Sequence, residues 1–227
     1  RVHMALGVTL VSLKYVRSTL RGLLLRFVRV HGHDALVPDR KWPIPHGLFV
    51  RLLRLTVVVF GSTRWTADSL FGKSTLAMIC LLYASGFRKA EITCHSTELT
   101  YLTRSSLKWV IHGVGHLDPT EAILRSAGPG CYVEAWPRQS KCDITGEIWG
   151  GHATFHFWSP EEGNAFRALA DLELARPVHG VERRLFPLFC ENDGSPVSET
   201  RAARLLDAML LMLVSSTMAY HYTWHSF

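Results

Sequence analysis

A glycine–arginine junction is the first place where this sequence offers chemistry. In Tyr83-Ala84-Ser85-Gly86-Phe87-Arg88-Lys89-Ala90-Glu91 an apolar stretch stops at Gly86 and Arg88 opens the next segment, with Glu91 one turn on. A guanidinium beside the free N–H groups of a helix start can hold a phosphate through paired hydrogen bonds, and a glutamate packed beneath it would orient the site. A helix-capping arginine with a solvated glutamate fits the same residues. Lys141 lies 53 residues after Arg88 in a turn-rich stretch, Pro137 to Gly151, where a lysine can act as a general acid or simply sit at a loop tip. Lys108 is the fallback for that role. Gly72-Lys73-Ser74-Thr75 imitates the end of a phosphate-binding P-loop, but Ala67 stands where the pattern needs glycine, so the backbone lacks the freedom to curve around a phosphate. Cys131, Cys142, His152 and His156 invite a zinc reading. The two cysteines are too far apart for it, since finger-type ligand pairs sit about two to four residues apart.

The elements that must carry these residues follow from the apolar spacing. Residues 9 to 30 place Leu10, Leu13, Val16, Leu20, Leu24 and Phe27 three and four apart with arginines between them, which predicts an amphipathic helix. Lys41-Trp42-Pro43-Ile44-Pro45 predicts an extended connector, and His46 to Val59 resumes an apolar pattern. Thr66 to Ser85 predicts a buried helix stopped by Gly86, a second helix follows from Arg88 to about Ser96, and Leu99 to Ile111 reads as a strand or two. Residues 112 to 129 read as loop. Cys131 to Trp136 and Ala153 to Trp158 are β-prone runs that predict a hairpin with Lys141 in its tip. Ser159-Pro160-Glu161-Glu162 predicts a helix start, with the helix reaching about Ala175. Phe186 to Phe189 reads as a short strand, Asn192 to Pro196 as a turn, and Ser198 as the cap of a helix to about Val214.

Taken in order, the segments resemble the tyrosine recombinase (phage integrase) superfamily. Residues 83–91 are similar to its first arginine box, Lys141 stands where the family has a lysine in a β-hairpin, and Tyr222-Thr223-Trp224-His225-Ser226-Phe227 looks like the opening of its His-x-x-Arg box. The likeness spans roughly residues 70 to 227. It implies an α+β, mainly helical fold with a small antiparallel hairpin or sheet packed on helices, and DNA strand cleavage and rejoining through a 3′-phosphotyrosine. Arg88 and His225 would stabilise the phosphate charge, with Glu91 in support, and Lys141 would protonate the leaving 5′-oxygen. The second arginine would fall at position 228, and the tyrosine nucleophile on a later helix. The expectation is therefore a fragment of a site-specific recombinase of mobile-element origin, inactive as given, acting on double-stranded DNA as a homo-oligomer when complete. That chemistry needs no metal or other cofactor. An intracellular location, nuclear in a eukaryote, follows from the substrate alone.

Composition and charge bound these expectations. Apolar residues make up 48% of the 227 and charged residues 19%, the balance of a packed chain rather than a disordered one. Residues 1–54 hold ten Lys or Arg against Asp34 and Asp39, so the formal charge of +6 is concentrated at the start. Such a lead-in favours a polyanion, with Lys14, Arg17, Arg21, Arg51 and Arg54 as the candidate DNA contacts, although a solvated helix face or a membrane-surface helix would carry the same charge. We divide the chain into residues 1–45, a basic helical lead-in and connector, and 46–227, a catalytic-like domain. No apolar run approaches the ~20 residues of a membrane span, so no membrane association is expected. Five scattered cysteines imply reduced thiols. Two other readings remain open: a non-catalytic DNA-binding remnant, and a helical interaction protein whose seven tryptophans are core and interface residues.

Overall fold

The computed structural model describes residues 20–23, 26, 29, 30, 42–85, 87, 89–94, 101–136, 153–157 and 163–227, apart from the side chains of Ala90, Glu91 and His225. The chain divides into two units, Arg1–Arg40 and Lys41–Phe227. In the first, residues 20–23, 26, 29 and 30 are helical, and Leu20, Leu23 and Val30 are exposed. The rest of the expected helix over 9–30 lies outside the described residues.

The second unit is α+β. Pro43 and Pro45 hold residues 42–45 extended, and helix α1 (His46–Leu53) follows with Leu48, Phe49 and Leu52 buried. A hairpin of β1 (Val57–Phe60) and β2 (Thr63–Thr66) comes next, turned by Gly61 at φ 58°. Helix α2 (Leu70–Ser85) is buried on nearly every side, as its almost unbroken apolar sequence requires. It starts at Leu70 rather than Thr66 because Thr66 completes β2, whose end crosses the helix so closely that a side chain at Gly72 would collide with the carbonyls of Thr66 and Ala67.

Helix α3 (Lys89–Ile92) is one turn long and stops short of the expected Ser96, because the Cys94 N–H and carbonyl bond instead to Val197 and Glu199. A 3-10 turn (Arg104–Ser106) then leads into a four-stranded antiparallel sheet of order β4-β3-β5-β6. Its strands are β3 (Leu107–Ile111), β4 (Val114–His116), β5 (Tyr132–Ala135) and β6 (Ala153–His156).

Residues 112–129 are not simply loop. His112 and Gly113, with φ 50° and 81°, form a two-residue turn that folds β4 back on β3, and Thr120 caps helix α4 (Glu121–Arg125). The expected Phe186–Phe189 strand is likewise absent. The segment makes only isolated bridges, Thr103 with Pro187 and Cys190 with Pro196.

Helix α5 (Ala165–Ala175) lies between the sheet and α2, with Trp109 of β3 edge-on to Phe166 at 5.1 Å. Its start differs from the expected one. Ser159 to Glu162 lie outside the described residues, Gly163 has φ 91°, and Asn164 is the cap, accepting from Arg167 N–H at 3.1 Å. Gly163 breaks any helix running in from Pro160, and its missing side chain lets the backbone lie against the Phe49 ring.

The α5 end is tied down by a buried charge cluster. Glu173 accepts from Arg183 Nη1 at 2.9 Å and Nη2 at 2.6 Å, and Arg104 Nη1 stands 3.1 Å away. Arg183 also bonds to the carbonyls of Leu117 and Val178. Ser198 caps α6 (Glu199–Leu213), as expected, and α7 (Ser216–Ala219) and a 3-10 turn (Trp224–Ser226) follow. Among the described residues, no helix is long and apolar enough to cross a membrane.

Candidate functional site

Arg88 and Lys141 lie outside the described residues, and only the backbone is described for Glu91, in α3, and His225, in the last 3-10 turn. The chain that carries them is described on its flanks. Ser85 closes α2: its hydroxyl donates to the Leu81 carbonyl at 2.7 Å and accepts from Phe87 N–H at 3.1 Å, directing the backbone toward position 88. On the far side Lys89 pairs with Glu199 at 2.7 Å, and Thr93 Oγ1 donates to the Lys89 carbonyl. Burial raises the Asp207 carboxyl above its ordinary value, and Lys89 only partly offsets this.

Strands β5 and β6 pair from Tyr132–His156 to Ala135–Ala153, so both run into the segment containing Lys141. The C-terminal turn is anchored by Tyr222 and Trp224, both buried, and by the Ile44 N–H, which donates to the Ser226 carbonyl at 2.8 Å. Ile44 leads directly into α1, where Phe49 stacks on Tyr83 of α2 at 3.8 Å and 8° and His46 lies 6.2 Å from the same ring.

These contacts bring three separate parts of the sequence to one cleft of about 330 Å³, between α1, the end of α2, β6 and the start of α5. His46, Phe49, Tyr83, Thr154, His156 and Asn164 are among its walls. Asn164 is already committed, since its Oδ1 caps α5 and its Nδ2 donates to the His156 carbonyl at 3.3 Å. A second cleft of about 380 Å³ begins on the other side of Gly163 and mixes Arg54, Lys73 and Arg167 with Asp68 and Asp171.

The remaining sequence candidates are distributed as follows. Lys14 and Arg17 lie outside the described residues, Arg21 is helical and exposed, and Arg54 is exposed. Arg51 is exposed too, but its Nη2 donates to the Leu213 carbonyl at 2.8 Å, which ties α1 to the end of α6. Lys108 pairs with Glu134 across β3 and β5 at 3.1 Å. The P-loop-like residues sit inside α2: Ser74 and Thr75 are buried, with Ser74 Oγ accepting from Cys190 N–H and Thr75 Oγ1 donating to the Phe71 carbonyl. Neither of these two hydroxyls is open to a phosphate.

Of the zinc candidates, Cys131 is buried and His156 is exposed on β6, while Cys142 and His152 lie outside the described residues. No metal-ligating cluster occurs among the described residues. Sequence reasoning missed the aromatic wall of the cleft. Tyr83 and His46 look like ordinary helix residues until α1 is packed on α2. Asn164 was legible as a cap-type residue before an apolar run, but the stronger cap signal at Ser159 masked it. No protein-family model matches the chain, and no curated protein or solved structure shows significant similarity to it.

Proposed function

We propose that the Lys41–Phe227 unit is the DNA-handling part of a strand-exchange enzyme of the tyrosine recombinase type. The observation behind this reading is one cleft lined by described residues that neighbour candidate segments in sequence. The end of α2, three residues before Arg88, and strand β6, on the hairpin of Lys141, both line it, and α1 links it to the turn of His225 through the Ile44–Ser226 hydrogen bond. An antiparallel hairpin suits a lysine that must approach a cut strand only when DNA is bound, and a short helix opening after Arg88 suits a guanidinium that grips a phosphate.

Arg88 and His225 would stabilise charge on the phosphorus, Glu91 would position Arg88, and Lys141 would protonate the leaving oxygen. The chain should bind double-stranded DNA. Lys14, Arg17, Arg21, Arg51 and Arg54 would add sequence-independent affinity.

The test is binding of the full chain to duplex DNA at several salt concentrations, with Arg88→Ala in parallel. The reading requires affinity that falls steeply with salt, and a loss on the order of ten-fold in the variant from the lost charge-assisted contact. Salt-insensitive or absent binding refutes it. Unchanged affinity in Arg88→Ala would leave a DNA-binding remnant without a working site.

A further inference from the structure

We infer that the cleft between α1, the end of α2 and β6 takes one unstacked nucleobase of the bound DNA; this rests on the DNA reading above. The cleft's floor is aromatic. Phe49 is buried and stacked on Tyr83, yet Tyr83 remains 37% exposed and lines the cleft. His46, exposed, stands at the rim, 6.1 Å from Phe49 and 6.2 Å from Tyr83 and tilted by about 40° to both. The opposite rim carries Thr154 and His156, both exposed on β6.

At about 330 Å³ the space lies at the small end of ligand sites, suited to a single ring system rather than to a peptide or a dinucleotide. Among the described residues that line it, none is a carboxylate. An aromatic platform with polar edges is the arrangement by which proteins hold single bases, because every base has a π-face to stack. Tyr83 and Ala84, which line the cleft, stand five and four residues before Arg88 in sequence. A base displaced from the duplex next to a phosphate held there would therefore have somewhere to go, which would lower the cost of opening the duplex at that step.

The inference is tested with the full chain and a single-stranded oligonucleotide carrying one 2-aminopurine, with the same oligonucleotide made abasic at that position as the reference. Binding should quench the fluorophore, and the abasic oligonucleotide should bind on the order of ten-fold more weakly. Tyr83→Leu, which keeps an apolar side chain on Phe49, should abolish both the quench and the discrimination while leaving salt-dependent binding of the abasic strand unchanged. Tyr83→Trp should restore them, which separates stacking from a folding defect. Binding of DNA with no quench, or a quench that survives Tyr83→Leu, overturns the nucleobase site but leaves the DNA reading standing. Absence of any DNA binding overturns both.

Discussion

Glu173→Gln keeps the shape of the side chain and removes the carboxylate that pairs with two buried guanidiniums. Glu173, Arg104 and Arg183 are each 3% exposed or less, and the cluster already carries one positive charge in excess. Arg183 is held by a two-point contact at 2.6 and 2.9 Å. Arg104 is held less well: its Nη1 lies 3.1 Å from the carboxylate without hydrogen-bond alignment, and its Nε has no partner among the described residues. Burial pushes the Arg104 guanidinium below its ordinary value, and Glu173 is the main charge opposing that. Breaking a buried pair by neutralising one member costs about 3–5 kcal/mol, since the remaining charge stays buried without compensation. For a unit of this size that corresponds to a fall in Tm of about 10 °C. Urea unfolding at pH 7 measures it, with an unchanged slope showing that the unfolded reference is the same. Adding Arg104→Met should recover part of the loss by removing the excess cation. A loss below about 1 kcal/mol, or no recovery in the double variant, would refute the view that this cluster is held by charge rather than by packing around it.

Three further outcomes are expected. Gly163→Ala should destabilise the unit by roughly 1–3 kcal/mol, because an added methyl meets the Phe49 ring and φ 91° is strained for alanine; denaturant midpoints check it. Asp118 accepts from the His179 ring at 2.6 Å and from Gly180 N–H at 2.8 Å. Desolvation alone would raise its carboxyl, but those bonds and the nearby Arg183 charge hold it below the ordinary value. A depressed carboxyl stabilises above its unfolded value, near pH 4, and loses that contribution as pH falls through the folded value. Asp118→Asn should therefore be slightly less stable than the parent at pH 6, by less than about 1 kcal/mol at this exposed site, with the gap closing as the solution is acidified below the ordinary carboxylate range. A gap that persists in acid would contradict the contact. Burial pushes the Cys80 thiol up to about 12, so in the folded protein at pH 8 iodoacetamide should leave Cys80 unmodified, and peptide mapping should find it labelled only after denaturation.

Much of the local structure was legible because it depends on neighbours in sequence. The unbroken apolar run at Leu76–Ala84 could only be a buried helix, Ser198 was a cap with a helix behind it, and the paired β-prone runs around Pro137–Gly151 became β5 and β6. Where reading failed, a distant contact outweighed a local signal. Pro160 and Glu162 argue for a helix start, but Gly163 must turn where Phe49, over a hundred residues earlier, lies against it, so Asn164 is the cap and α5 begins at Ala165. Residues 112–129 looked structureless because β4 is three residues long and exists only by pairing with β3.

The candidate site divides in the same way. The types and order of Arg88, Glu91, Lys141 and His225 are properties of the sequence by itself, and the expectation of phosphate chemistry was drawn from them alone. That α1, the end of α2, β6 and the start of α5 line one cleft was decided only in three dimensions. It takes the Ile44–Ser226 hydrogen bond, the Phe49–Tyr83 stack and the packing of α5 between sheet and α2 to bring the ends of elements tens of residues apart to one place. Periodicity records which face of an element is buried but not which partner buries it, and a cleft is made by partners.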